Sequence, residues 1–272
     1  MGPLISSVPI GALCGKSFSP MHLADLVPFL DTELRIRDIA DYPPALNGLQ
    51  IDAPGITVTK VAAAVDASLP VIRKAAASGA NLLLVHHGLF WTGLQPITGA
   101  LHEKIRLCLD HGLALYSAHL PLDVHPTLGN NACIARALNL TPSGGFLEFK
   151  GNPIGLIAEA EIPLETLTAQ FHTALSGGPV HVCPGGPKTT RRIGISSGGS
   201  GSEVATAAKA GIDTFLTGEG PHWSYTLAEE LGINVLYGGH YATETFGVKA
   251  LAAHLESRFS LPWTFIDHPT GL

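Results

Sequence analysis

Histidines followed by carboxylates at a fixed spacing are the chemistry-bearing feature of this chain. His86 and His87 stand side by side before Gly88, at the end of the apolar run Leu82-Leu83-Leu84-Val85. His119 closes a second apolar run, and Asp123 follows four residues later. His240 comes after Gly238-Gly239, and Glu244 again follows four residues later. Imidazole combined with carboxylate suits Zn, Fe, Mn, Co or Ni, whereas ligands that are all oxygen would suit Mg or Ca. These histidines and two carboxylates exceed the three protein ligands usual for one catalytic zinc. They match two ions roughly 3.5–4 Å apart that share a bridging carboxylate and a bridging water, whose pKa such a pair lowers. The reaction class this implies is hydrolysis. A His-His pair alone is weak evidence for a metal, so the case depends on the elements that bring these segments together.

The pattern predicts a helix over 21–31, a strand over 58–65 ending at Asp66, and a helix over 69–78 with Gly79 as its cap. The Leu82–Val85 strand follows. Strand, helix, strand with short connections is the grammar of a parallel sheet, and in open α/β folds ligands gather at the carboxyl ends of such strands. Neighbouring side chains on a strand point to opposite faces, so both imidazoles can face one cavity only where the chain turns. A helix over 103–111, a strand over 113–119 and a helix over 130–138 come next. The middle, about 141–190, is less legible: a strand over 154–158, a helix over 164–175 and a short strand over 180–183. A strand from Ile193 then leads through Ser197-Gly198-Gly199-Ser200-Gly201-Ser202 into a helix over 203–210. This glycine loop matches neither the dinucleotide fingerprint nor the P-loop and reads as a tight turn rather than a phosphate cradle. A strand over 213–217, a helix over 225–231 and a strand over 233–237 lead to His240. If 240–244 opens a helix, His240 and Glu244 share one face.

The later elements repeat the earlier ones. Gly79-Ala80-Asn81 and the apolar run after it align with Gly211-Ile212-Asp213 and residues 214–217, which sets His87 against Glu219. Tyr116-Ser117-Ala118-His119 aligns with Tyr237-Gly238-Gly239-His240, which sets His119 against His240 and Asp123 against Glu244. The expected fold is α/β: two similar, intertwined halves with mostly parallel sheets and a metal site between them. The expected division is a flexible extension over 1–20, a first half over 21–140 and a second over 141–272. On the repeat alone, His119 is a possible ligand. His125 and His222, near strand ends, are candidates to line the cavity, while Phe90 and Trp91 are read as core.

Composition limits the functional classes. A net charge of −6 with no basic run argues against direct nucleic-acid binding. No apolar stretch approaches the ~20 residues of a membrane span. Four scattered cysteines without a CxxC pair suggest reduced thiols and a cytoplasmic protein. Charged residues make up 14%, against roughly 25% in an average soluble protein, which suggests a surface partly covered by other copies of the chain.

The segments Leu84-Val85-His86-His87-Gly88, Tyr116-Ser117-Ala118-His119-Leu120-Pro121-Leu122-Asp123, Leu216-Thr217-Gly218-Glu219 and Gly239-His240-Tyr241-Ala242-Thr243-Glu244, with Asn47-Gly48-Leu49-Gln50 near the start, together resemble the Nif-three-like dinuclear metal-centre family. Its members carry the description GTP cyclohydrolase 1 type 2 homologues. The resemblance implies two divalent ions per chain on His86, His87, Asp123, His240 and Glu244, with Glu244 bridging. It leaves open which imidazole of the His86/His87 pair serves which ion. It places His119 as a non-ligand, a proton shuttle or substrate contact with a catalytic role, in tension with the repeat. It also implies the short form without an inserted domain, a toroidal homohexamer, and GTP cyclohydrolase-like hydrolysis of a small-molecule substrate such as a nucleotide by a metal-bound water or hydroxide. The alternative is a non-catalytic, metal-binding scaffold or metal-handling protein that acts through partners.

Overall fold

The computed structural model describes residues 20–272. The extension expected over 1–20 lies, but for its last residue, outside the described residues. In chain order the first half comprises α1 (Leu23–Glu33), β1 (Gly48–Ile51), β2 (Val61–Asp66), α2 (Leu69–Ala77), β3 (Leu82–His87), α3 (Gly99–Asp110), β4 (Ala114–Ser117), α4 (Leu120–Asp123) and α5 (Asn130–Ala137). The remainder comprises β5 (Pro142–Phe149), β6 (Asn152–Pro163), α6 (Leu164–Ala174), β7 (His181–Pro184), β8 (Thr189–Ser196), α7 (Val204–Lys209), β9 (Thr214–Thr217), α8 (His222–Leu231), β10 (Asn234–Tyr237), α9 (His240–Phe259) and β11 (Trp263–Phe265).

Two sheets result. In the first, ordered β1-β4-β3-β2-β11, all pairings are parallel except that of the edge strand β1 with β4. In the second, ordered β5-β6-β8-β9-β10-β7, the parallel strands β8, β9 and β10 are flanked by antiparallel β6 and β7, with β5 pairing onto β6. The run Val61–Val65 is buried throughout because helices cover both faces of its sheet. Leu26 and Leu30 of α1 pack with Leu251 and Leu255 of α9 on one face. Val71 and Ile72 of α2 pack with Cys108 of α3 on the other. Ser68 caps α2 by accepting the Val71 N–H at 3.4 Å, as the sequence pattern at its start requires.

The two halves are tied by α9. It leaves the second sheet, where Ala242 and Phe246 pack against Phe171, Leu216 and Leu236, and ends on the first, where Val248, Leu251, Ala252 and Leu255 are buried. Its 20 residues span about 30 Å at ~1.5 Å each. β11 then joins the first sheet beside β2, so residues 141–272 do not stay within one sheet. This crossing is the physical content of the expected intertwining.

Three strands were not legible in the sequence. β1 begins at Gly48, where Asn47-Gly48 reads as a turn, and lies at a sheet edge. β5 contains Gly144-Gly145, is exposed over its first four residues and pairs only with β6, so neither β-branched enrichment nor alternation marks it. β11 has three residues. Among the described residues no helix is long and apolar enough to cross a membrane.

Candidate metal centre

The four histidines of interest lie where strands of the two sheets end. β3 runs through both His86 and His87, and their rings nevertheless lie 4.8 Å apart, tilted by 47°. The strand stops at Gly88, where a Cβ would enter the side-chain amide of Gln50. That amide accepts the Leu89 N–H at 2.7 Å and donates to the carbonyls of Ala45 and Leu46. His119 is the residue before α4, and Asp123 is the last residue of that helix. His240 is the first residue of α9, with Glu244 one turn on. The repeat is therefore structural: each half ends a parallel strand, turns, and opens a helix on His-x-x-x-carboxylate.

Each imidazole is held by its Nδ1 to an acceptor. His86 Nδ1 donates to the Ala118 carbonyl at 2.9 Å, and His87 Nδ1 donates to Asp66 Oδ1 at 2.9 Å. His119 Nδ1 donates to Asp41 Oδ1 at 2.9 Å, and His240 Nδ1 donates to Glu219 Oε1 at 2.8 Å. With Nδ1 committed to an acceptor, Nε2 is the nitrogen each ring turns toward the centre, open to a metal once it carries no proton. The Nε2 atoms of three rings face the buried Glu244: His240 at 3.1 Å and His86 at 3.6 Å from Oε1, His87 at 3.5 Å from Oε2. Asp123 Oδ2 lies 3.4 Å from His86 Nε2, while its Oδ1 accepts from Asn130 Nδ2 at 2.8 Å and from the Ser197 hydroxyl at 3.3 Å.

Two buried atoms in this cluster, His86 Nε2 and Glu244 Oε2, have no hydrogen-bond partner. Such orphans are costly unless something else occupies their lone pairs. The electrostatics point the same way. Burial raises the Glu244 carboxyl, but the facing charges of His86 and His87 and the hydrogen bond from His240 outweigh it and hold the group well below the usual carboxylate range. Burial lowers His86, yet Asp123 and Glu244 raise it well above an ordinary imidazole. Both shifts favour positive charge beside the buried carboxylates.

Two groups of donor atoms, each mutually within 4.8 Å, could hold a metal ion: His86, His87 and His119, and His87, His240 and Glu244. The structure thus gathers all six residues singled out from the sequence. His119 falls inside the first group, and Asp123 stands outside both although it touches His86. Trp91, read as core, instead stands edge-on to His119 and His87 with ring centroids at 4.7 and 5.3 Å, whereas Phe90 packs on the first sheet's core. His125 does not reach the cluster and pairs with Glu33, and His222 is exposed.

Sequence reasoning missed Asp41 and Asp66 as ring partners and placed Glu219 only as the counterpart of His87. Asp41, 78 positions from His119 in sequence, also accepts the Leu120 N–H at 2.9 Å and the Asn47 amide at 2.7 Å. Asn47 Oδ1 accepts the His119 N–H at 2.8 Å. The segment 47–50 therefore braces both histidine-bearing turns of the first half.

Residues 21–270 match the model of the Duf34/NIF3 (NGG1p interacting factor 3) family. The chain belongs to that family. Among Duf34/NIF3-like relatives, a Deinococcus radiodurans protein named GTP cyclohydrolase 1 type 2 homolog is 45% identical, over 91% of this chain and 94% of its own. The solved structure of protein ybgI, described as of unknown function, superimposes with a TM-score of 0.85 at 34% identity, covering 93% of this chain and all of that one. A Thermus thermophilus protein superimposes with a TM-score of 0.82 at 41% identity over the same share of this chain and 100% of its own. The family and the fold class expected from the histidine segments are those observed.

Proposed function

We propose that the cluster holds two divalent metal ions and that the protein is a metal-dependent hydrolase of a small-molecule substrate, a nucleotide or related compound. One observation carries this reading: imidazoles locked at Nδ1 by acceptors turn their Nε2 atoms on buried carboxylates, leaving His86 Nε2 and Glu244 Oε2 without partners. His86, His87, Asp123, His240 and Glu244 would hold the ions, with Glu244 between them. The mixed nitrogen and oxygen donors favour Zn, Fe, Mn, Co or Ni. When bound, such a pair supplies Lewis-acid activation of water and stabilises negative charge that develops on the substrate. The protein residues set the stage for that chemistry. Asp66, Glu219 and the Ala118 carbonyl fix the tautomers of the three ligand rings, and burial of Glu244 keeps bulk water from its oxygens. His119, held at Nδ1 by Asp41, keeps Nε2 available at the edge of the site to take up or deliver a proton.

The name of the Deinococcus relative supports a GTP cyclohydrolase-like reaction as the first activity to assay. Exposed Leu94, Ile97 and Leu109 support self-association of the chain, and the homohexamer that the resemblance implies is the state to check by light scattering. Buried free Cys108, Cys133 and Cys183 support a reducing, cytoplasmic setting. The deciding experiment is metal content per chain, without added metal or chelator, for the wild type and His240→Ala, followed by a metal-dependent hydrolysis screen with GTP and other nucleotides. About two ions per chain, falling in the variant, with turnover that chelation abolishes, is the expected result. No uptake by either protein would overturn the metal centre; uptake without any turnover would favour a metal-loaded scaffold.

A further inference from the structure

We propose that Gly198 is a positioning residue of the metal centre: its missing side chain is the space in which the Glu244 carboxylate sits. This inference rests on the reading of the cluster as a metal site. The loop after β8, read from sequence as a plain turn, packs directly against the cluster. A Cβ built on Gly198 would fall well inside 3.0 Å of Glu244 Oε1, with Glu244 Cδ at 3.2 Å and His240 Nε2 at 3.4 Å. The oxygen it would displace is the one that faces His240 and His86.

The loop has no freedom to withdraw. Ser197 N–H donates to Asn131 Oδ1 at 2.8 Å, and Gly198 N–H donates to Thr243 Oγ1 at 3.0 Å on α9 itself. The Gly198 carbonyl accepts from the N–H groups of Gly218 and Glu219 at 3.0 and 2.9 Å. Pinned on both sides, the backbone stays and the end of the glutamate side chain must move. The Ser197 hydroxyl on Asp123 places both carboxylates of the cluster against this one loop, so the loop is a mould for ligands rather than a cradle for phosphate.

Gly198 also has φ +64°, a conformation that disfavours any side chain, so backbone strain must be separated from crowding. Gly232, which ends α8 at φ +71° with nothing within 4 Å of its Cβ position, supplies the control. The test uses full-length protein titrated with Zn(II) or Co(II) alone, reading stoichiometry, affinity and the visible Co(II) spectrum. Gly198→Ala is expected to bind roughly 10–100-fold more weakly with an altered spectrum, whereas Gly232→Ala binds as the wild type does. The collision exists without metal as well, so metal-free Gly198→Ala is expected to melt below metal-free Gly232→Ala, by a margin that adding Glu244→Ala removes. Shortening the carboxylate should relieve the collision, so the double variant Gly198→Ala/Glu244→Asp is expected to bind more tightly than the two single losses combined predict. If Gly198→Ala does not fold, adding Glu244→Ala removes the obstruction and folded protein is expected to return. Wild-type affinity and spectrum in Gly198→Ala, additive losses in the double variant, or no recovery on removing Glu244 would each overturn the inference. Absence of metal uptake by the wild type would instead defeat the metal-site reading beneath it.

Discussion

An imidazole offers a metal its lone pair only at the nitrogen without a proton, and the partner of the other nitrogen decides which one that is. At His86, His87, His119 and His240 that partner is an acceptor. At His125 the sense is reversed: Nδ1 accepts the Leu128 N–H at 3.0 Å and the Thr127 N–H at 3.3 Å, so the proton sits on Nε2. Residue type and strand-end position could not separate these histidines in the sequence; only the partners do, and Asp41 and Asp66 lie too far along the chain to be read as such. Replacing Asp66 or Glu219 by Ala is therefore expected to weaken metal binding by roughly 10–100-fold, measured by calorimetric titration, while His125→Ala leaves it unchanged. A pH dependence belongs to the same scale. Burial lowers His240, but the hydrogen bond and charge of Glu244, then those of Glu219, prevail and raise it from 6.5 to about 9. A value above that of the unfolded chain means that protonated His240 stabilises the metal-free fold fully below pH 6.5, and that this contribution is lost as pH rises through about 9. In chelator, the melting temperature is expected to fall across that window. Metal affinity rises across the same window, because the ion no longer competes with the proton.

Among the elements, what the sequence made legible was the grammar of strand, turn and helix that opens on a histidine and places a carboxylate one turn later. That much is local periodicity. The buttresses between elements are not local. Asn130 is fully buried at the start of α5; its amide donates to Asp123 Oδ1, and its Oδ1 accepts the Gly247 N–H of α9 at 2.6 Å. Asn131 beside it bonds the Ile154 carbonyl of β6 and the Ser197 N–H. The sequence shows only two polar residues opening a helix that is apolar apart from Arg136. Asn130→Ala is expected to destabilise the protein by about 1–3 kcal/mol, since it strips a buried carboxylate of the nearer of its two donors, as a shift in the denaturant midpoint without a change in slope.

For the molecule as a whole, the site joins residues from both halves: His86, His87 and Asp123 from the first, His240 and Glu244 from α9, which spans to the other sheet. Metal at 100 times its dissociation constant should add about 2.7 kcal/mol to stability, a rise of roughly 5–10 °C in melting temperature for a chain of this size. Because α9 and β11 cross between the sheets, calorimetry is expected to show one transition with or without metal, not a separate melting of each half. That crossing was the least legible feature, since β11 is three residues long and its partner strand β2 lies some two hundred positions upstream. It also dictates timing. Glu244 follows Asp123 by 244 − 123 = 121 positions, which takes roughly 6–24 s to synthesise at ~5–20 residues per second. The β2 edge of the first sheet waits longer still for its last strand. A nascent chain thus carries three donors through nearly half of its synthesis without the carboxylate that follows them. If the cluster binds metal as proposed, loading the ion is an event of the finished protein, and metal content measures how much of the chain has completed its fold.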